Sequence, residues 1–253
     1  MKKEYILVVD IGNSYIKVGL FEYDNDNSIE IIMFKTNLNL DETFLNENLK
    51  KIEQYNIKHS VLGSVVPKIN NVFIEYIENK FNIKPYQINF ESKFSFDLTD
   101  SVRKQVGDDL LALSEFCVAK GHSVLGFSFG TAISSVFIYN KFLEGVFISP
   151  GISFGLNHLI NNACLLDKTE LNKNSTLSYG NTTNKALEAG INNLRRGIVM
   201  SSIELVKTEY KLKNIPCLIS GGEASKIDPV NFDYEINKEA ILIGYKKIYL
   251  LNN

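Results

Sequence analysis

Two carboxylates in this 253-residue chain stand where a side chain can do chemistry: Asp10, closing an apolar run, and Asp109, heading a helical pattern. Asp10 follows Tyr5-Ile6-Leu7-Val8-Val9 and opens the turn cluster Ile11-Gly12-Asn13-Ser14, with Lys17 just beyond. A carboxylate at a sharp strand end can hold Mg2+, directly or through water, and Gly12 lets backbone N–H groups approach phosphate oxygens. Asn13 and Ser14 can donate to phosphate, and Lys17 can neutralise charge. The competing reading is an Asx-type turn in which Asp10 and Asn13 merely join two strands. A second loop tips the balance. Gly126-Phe127-Ser128-Phe129-Gly130-Thr131, followed by Ala132, repeats the plan of Val8-Val9-Asp10-Ile11-Gly12-Asn13: buried strand, polar residue, apolar residue, glycine, side-chain donor. Two such loops could clasp a nucleotide's phosphates from opposite sides of a cleft.

The second carboxylate lies in Val106-Gly107-Asp108-Asp109-Leu110-Leu111-Ala112-Leu113. At ~100° per residue, Val106, Leu110, Leu113 and Cys117 form one apolar stripe, which sets Asp109 at its edge and turns Asp108 to solvent. A carboxylate at a buried edge beside a cleft suits a general base for a substrate hydroxyl. Acids are also favoured in any helix's first turn by the macrodipole, which needs no catalysis. Three further loops follow the same logic less sharply. Ser149-Pro150-Gly151 can shape a substrate side, and Ser220-Gly221-Gly222 suits close approach of a base or ribose to backbone, though either is equally an ordinary strand-to-helix turn. Gly180-Asn181-Thr182-Thr183 opens a long helix, with Asn181 or Thr182 as its N-cap.

These residues need strands to end under them. The spacing predicts strands over 5–9, 16–21, 29–34, 59–64 and 86–88, and helices over about 40–55, 73–81 and 106–120. From residue 122 the plan repeats. Strands are expected over 122–127, 134–139 and 142–148, with Asn140-Lys141 as a hairpin tip. Helices follow from about 154 and over 181–211, then a strand over 216–219 and a last helix over 238–251. Two cycles of three antiparallel strands, then alternating helices and strands, argue for a duplicated α/β lobe, divided as 1–120 and 121–253.

Bulk composition narrows the partners. A hydrophobic fraction of 45%, a charged fraction of 22% and a formal charge of −2 describe an ordinary globular chain, with no pull toward nucleic acid or membrane. The opening apolar run is too short for a signal-peptide core with a cleavage site, and no window approaches ~18 uninterrupted apolar residues. Cys117, Cys164 and Cys217 are far apart and show no metal-ligand spacing with the three histidines, so they read as buried thiols in a reducing compartment. A cytoplasmic location is expected.

Taken in order, the motifs resemble those of the type III pantothenate kinases, bacterial enzymes of the actin-like ATPase fold. The resemblance rests on Asp10-Ile11-Gly12-Asn13-Ser14 with Lys17, Ser64-Val65-Val66-Pro67, Gly107-Asp108-Asp109, Phe129-Gly130-Thr131-Ala132, Gly145 with Ser149-Pro150-Gly151, Asn181-Thr182 and Ser220-Gly221-Gly222, and so spans nearly the whole chain. It implies duplicated actin-like (ribonuclease H-like) lobes, each a mixed sheet flanked by helices, with a central nucleotide cleft. It implies ATP-dependent phosphorylation of pantothenate, with Mg2+, a monovalent cation (K+ or NH4+) and a homodimer whose interface helps form the site. By position, Asp10 matches the metal-associated acid, Gly12, Asn13 and Ser14 the phosphate contacts, and Asp109 the base. Gly130, Thr131 and Ala132 match the second phosphate loop, Gly107, Asp108 and Thr182 the substrate side, and Gly221-Gly222 the adenosine side. Ser128 stands where the family usually has an Asp associated with the cation. Leu110 replaces an Arg that anchors pantothenate, a charged contact worth roughly 2–3 kcal/mol. Glu144-Gly145 replaces a glycine pair, and Ile133-Ser134 replaces Thr-Thr. Two alternatives follow from these departures: a non-catalytic nucleotide-binding or regulatory relative, or a kinase of the same fold for another small hydroxylated substrate.

Overall fold

Strand β1 (Tyr5–Ile11) is buried from Ile6 to Ile11, as a central strand covered on both faces must be. Its alternate residues go to different neighbours. Leu7, Val9 and Ile11 join one apolar core with residues of β2 (Tyr15–Glu22), α1 (Glu42–Leu49) and α2 (Asn70–Phe81). Ile6, Val8 and Asp10 therefore share the opposite face. In the computed structural model, which describes residues 3–163, 166, 171–172, 175–226 and 234–253, β1 pairs antiparallel with β2 and parallel with β4 (Ile57–Ser64). The edges of this sheet are β3 (Ser28–Lys35) and β5 (Tyr86–Gln87), giving the order β3-β2-β1-β4-β5. The helix expected over 40–55 is α1 plus a 3-10 turn, Lys50–Gln54. Asp41 caps α1 by accepting the Phe44 N–H, and Asn82 ends α2 in the left-handed region at φ 55°. A short helix α3 (Asp100–Gln105), absent from the sequence reading, precedes α4 (Asp108–Val118).

The second sheet repeats the first. β6 (Val124–Phe129) is central, antiparallel to β7 (Ala132–Tyr139) and parallel to β9 (Cys217–Ser220). With β8 (Phe142–Pro150) and β10 (Tyr234–Ile236) the order is β8-β7-β6-β9-β10, the same as the first sheet strand for strand. The Asn140-Lys141 tip has both residues at positive φ, 50° and 63°, as a two-residue hairpin of matching twist requires. Helices α5 (Ile152–Asn162) and α6 (Thr183–Glu209) pack on Leu125, Phe127, Phe129 and Ile219. Thr182 caps α6 by accepting the Lys185 N–H.

The chain divides into Met1–Phe116 with Ala240–Asn253, and Cys117–Glu239. The last helix, α7 (Ala240–Asn252), was expected in the second half. It belongs with the first unit, because its nearly all-round apolar surface packs on β1 and β4. Cys117 and Cys217 are buried free thiols, and burial pushes the Cys217 thiol up to about 12. Cys164 lies outside the described residues. Among those described, no helix is long and apolar enough to cross a membrane.

Candidate active site

In the first unit, strand register alone assembles the neighbours of Asp10. Lys17 lies directly opposite on β2, and Gly63 lies beside it on β4. Opposite residues of an antiparallel pair project to the same face, so the Lys17 charge sits within reach of the carboxylate. Asp10 is only 8% exposed. Burial pushes its carboxyl up to about 6, with Asp109 and Asp108 adding to the rise while Lys17 and Tyr245 oppose it.

The turn above Asp10 is closed by its own backbone. Gly12 N–H donates to Tyr15 O at 3.1 Å, and Thr36 N–H donates to Ser14 O at 3.0 Å. The Thr36 hydroxyl donates to Gly12 O at 2.6 Å. Gly12 therefore shapes the turn, its N–H already engaged, and Asn13 is exposed at the tip. Lys17 completes this set from β2.

Helix α4 starts beside the end of β4. Gly107 O accepts the N–H groups of Leu110 and Leu111, which sets the first turn. Asp108 was expected to face solvent; instead its Oδ2 accepts the Ser64 N–H at 2.9 Å, binding α4 to the end of β4. The wheel argument failed because the helix's first turn is rotated onto a strand end that needed an acceptor. Burial raises Asp108 to about 6. Asp109 Oδ1 accepts the Leu110 N–H at 3.0 Å, and burial raises its pKa as well. Leu110, where the family resemblance expects an arginine, is buried at 4% exposure.

The carboxylates of Asp10, Asp108 and Asp109 thus gather at one end of β1, with Lys17 as the cation that Asp10 and Asp109 feel. This under-compensated charge suits a divalent cation. Among the described residues no group of three or more His, Cys, Asp or Glu has metal-holding geometry. An ion here would accordingly be held by Asp10 with phosphate oxygens and water, the usual manner of Mg2+.

In the second unit, Gly130 N–H donates to Ala132 O at 2.9 Å, a tighter closure than that of the first turn. Gly151 N–H donates to Thr131 O, and Glu223 N–H to Phe129 O, so three loops meet at the end of β6. Ser128 lies in register between Ser134 and Ser220. Gly221 has φ 95°, and a Cβ there would lie 2.3 Å from Phe129 O, so only glycine fits. Gly222 is exposed beside it. Thr182 stands at the head of α6 with its hydroxyl used in capping.

Sequence reasoning missed two contributors. Arg195, buried at 2%, pairs with Glu223 at 3.6 Å, and the Ser153 hydroxyl donates to the same carboxylate, so α6, the β9 loop and α5 share one polar link. Its signal was visible: Arg195 falls four residues from both Ile191 and Val199, a charge inside a buried stripe. Tyr245 on α7 reaches the Asp10 cluster, and nothing local in this largely apolar helix marks it.

The architecture is that of duplicated actin-like lobes, shared with sugar kinases. The chain is similar to a ROK family glucokinase from Streptomyces griseus solved with glucose and AMPPNP, at 11% identity and TM-score 0.50, over 97% of this chain and 99% of that one. It is similar also to a ROK family protein from Streptococcus pneumoniae solved with sucrose, at 13% identity and TM-score 0.54, over 97% and 98%. Those likenesses fix the fold. Sequence relatives go further. A type III pantothenate kinase of Malacoplasma penetrans is 47% identical over 99% of this chain and 98% of its own length. One of Mycoplasmopsis synoviae is 32% identical over 97% and 96%. The family model for type III pantothenate kinase matches residues 6–205, and the chain belongs to that family.

Proposed function

We propose that this chain transfers the γ-phosphoryl group of ATP to the hydroxyl of pantothenate, giving 4′-phosphopantothenate for coenzyme A synthesis. The observation that carries the proposal is the gathering of Asp10, Asp108 and Asp109 at the end of β1 in a member of this family. Phosphoryl transfer asks mainly for positioning and charge neutralisation. Asp109 takes the proton of the acceptor hydroxyl; its raised pKa makes it the stronger base, and the Leu110 N–H fixes one of its oxygens. Asn13, Ser14 and Lys17 hold phosphate from the turn that Gly12 shapes, and Gly130, Thr131 and Ala132 supply the second phosphate loop. Gly221 and Gly222 take the adenosine side, and Gly107, Asp108 and Thr182 the acceptor side. Mg2+ at Asp10, with Ser128 associated, would neutralise charge developing on the phosphates, and a monovalent cation (K+ or NH4+) would assist.

A homodimer in the cytoplasm completes the reading. Its support is the second unit's apolar surface: Phe147, Ile148, Phe154 and Leu194 are exposed, beside a groove of about 430 Å³ between α5 and α6. A second copy covering this surface would remove it from water.

The test is direct. Purified protein with ATP, Mg2+, K+ and pantothenate should yield 4′-phosphopantothenate by mass spectrometry, with one ADP per product. No product with K+, NH4+ or Na+ defeats the proposal. Buried Leu110 favours one second reading, a different small hydroxylated acceptor, which an acceptor panel would reveal as turnover without pantothenate.

A further inference from the structure

Tyr245 is fully buried, yet its hydroxyl makes no hydrogen bond of full geometry among the described residues. Its electrostatic neighbours are Asp10, Asp109 and Asp108, and the Asp10 carboxylate is the one its hydroxyl reaches toward. A phenol in such a place stays protonated, so it is a neutral donor surrounded by acceptors. The packing has been built to admit it. Gly63, the register partner of Asp10 on β4, would carry a Cβ 2.2 Å from the Tyr245 ring, so any larger residue would displace the ring from the carboxylate. One helix turn is pressed close by the same means: a Cβ on Gly244 would lie 1.9 Å from Ala112 O, which seats α7 against α4. A buried hydroxyl without a complete bond costs stability, and phenylalanine would fill the same volume without that cost. The hydroxyl therefore answers to something other than packing.

We infer that Tyr245 is a positioning residue for the phosphoryl-transfer site, its hydroxyl fixing which way the Asp10 carboxylate faces. This rests on the function proposed above. With one oxygen of Asp10 turned to a metal–nucleotide complex, the other would be left to accept a hydrogen bond from the phenol. Active-site hydrogen bonds commonly tighten in this way on binding.

The experiment compares wild type with Tyr245→Phe by two readouts. The first is binding of Mn2+ in the presence of ADP, followed by electron paramagnetic resonance; the second is steady-state kinetics. Tyr245→Phe should bind Mn2+ about tenfold more weakly and lose about tenfold in kcat, with KM for pantothenate unchanged and thermal stability no lower than wild type. Gly63→Ala should reproduce the Mn2+ defect; if it does not fold, Tyr245→Phe decides alone. Wild-type Mn2+ affinity and kcat in Tyr245→Phe would overturn the inference and leave the kinase reading intact. A wild type that makes no phosphopantothenate would sink the kinase reading, while the Mn2+ titration would still judge the tyrosine: equal binding in both proteins, or none in either, overturns it.

Discussion

The two sheets share one strand order but carry opposite chemistry at the equivalent position. Across β2, β1 and β4 the row reads Lys17, Asp10, Gly63; across β7, β6 and β9 it reads Ser134, Ser128, Ser220. The first row holds a charge pair and a gap for an aromatic ring. The second holds three hydroxyls, and Ser220 Oγ is buried with no partner among the described residues. Duplication supplied two equivalent strand ends, and in this chain only the first carries a charge, Ser128 standing where the family resemblance puts an Asp.

The sharpest way to break the comparison is to remove the acids of the charged unit. Asp109→Asn should lower kcat by about 10³-fold, the usual scale for losing a general base, with nucleotide binding retained; less than a tenfold loss would move the base elsewhere. Asp10→Asn should lower kcat by about 10²-fold and, in the unliganded protein, raise stability. The sign follows from the shift. The Asp10 pKa rises from 3.8 to about 6 on folding, so its protonated form favours the fold below pH 4, and that contribution is lost as pH rises through 6. The variant's advantage should thus be about 2–3 kcal/mol at pH 8 and vanish near pH 4, read from denaturant melts at the two pH values. Asp108, raised likewise to about 6, should leave the Asp10→Asn variant with the same pH trend in weaker form.

In the uncharged unit the expected effects are smaller and structural. Gly221→Ala forces a side chain into φ 95° against Phe129 O and should cost about 2–4 kcal/mol, seen as a lower melting temperature. Ser128→Ala should raise KM for ATP or for the monovalent cation by less than tenfold, since a hydroxyl holds an ion without a full charge. A Ser128→Ala defect as large as that of Asp10→Asn would erase the contrast between the rows.

How much of this was legible follows the range of each interaction. The β1–β2 turn and its echo at Gly130 were readable, because a continuous apolar run ending at a polar residue, with a glycine two residues past it, is a local signal. The short α3 and β10 were not: α3 has a local start signal in the Thr99 cap and Asp100 but buries no residue and so shows no apolar stripe, and three-residue β10 is defined by its pairing with β9. Asp108 was turned the wrong way because a helical wheel gives relative angles and not the rotation of the helix on its neighbour. Tyr245 was invisible since its role exists only once residues far apart in sequence, Asp10, Gly63 and Asp109, are brought beneath α7.

That docking of α7 has a consequence for synthesis. The second unit is threaded into the first as an insertion, between Phe116 and Ala240. A ribosome therefore releases all of the second unit before the segment that seals β1 and β4. Until then the apolar back of the nascent first sheet stays open, and its acid cluster waits, half-furnished, for a phenol supplied last.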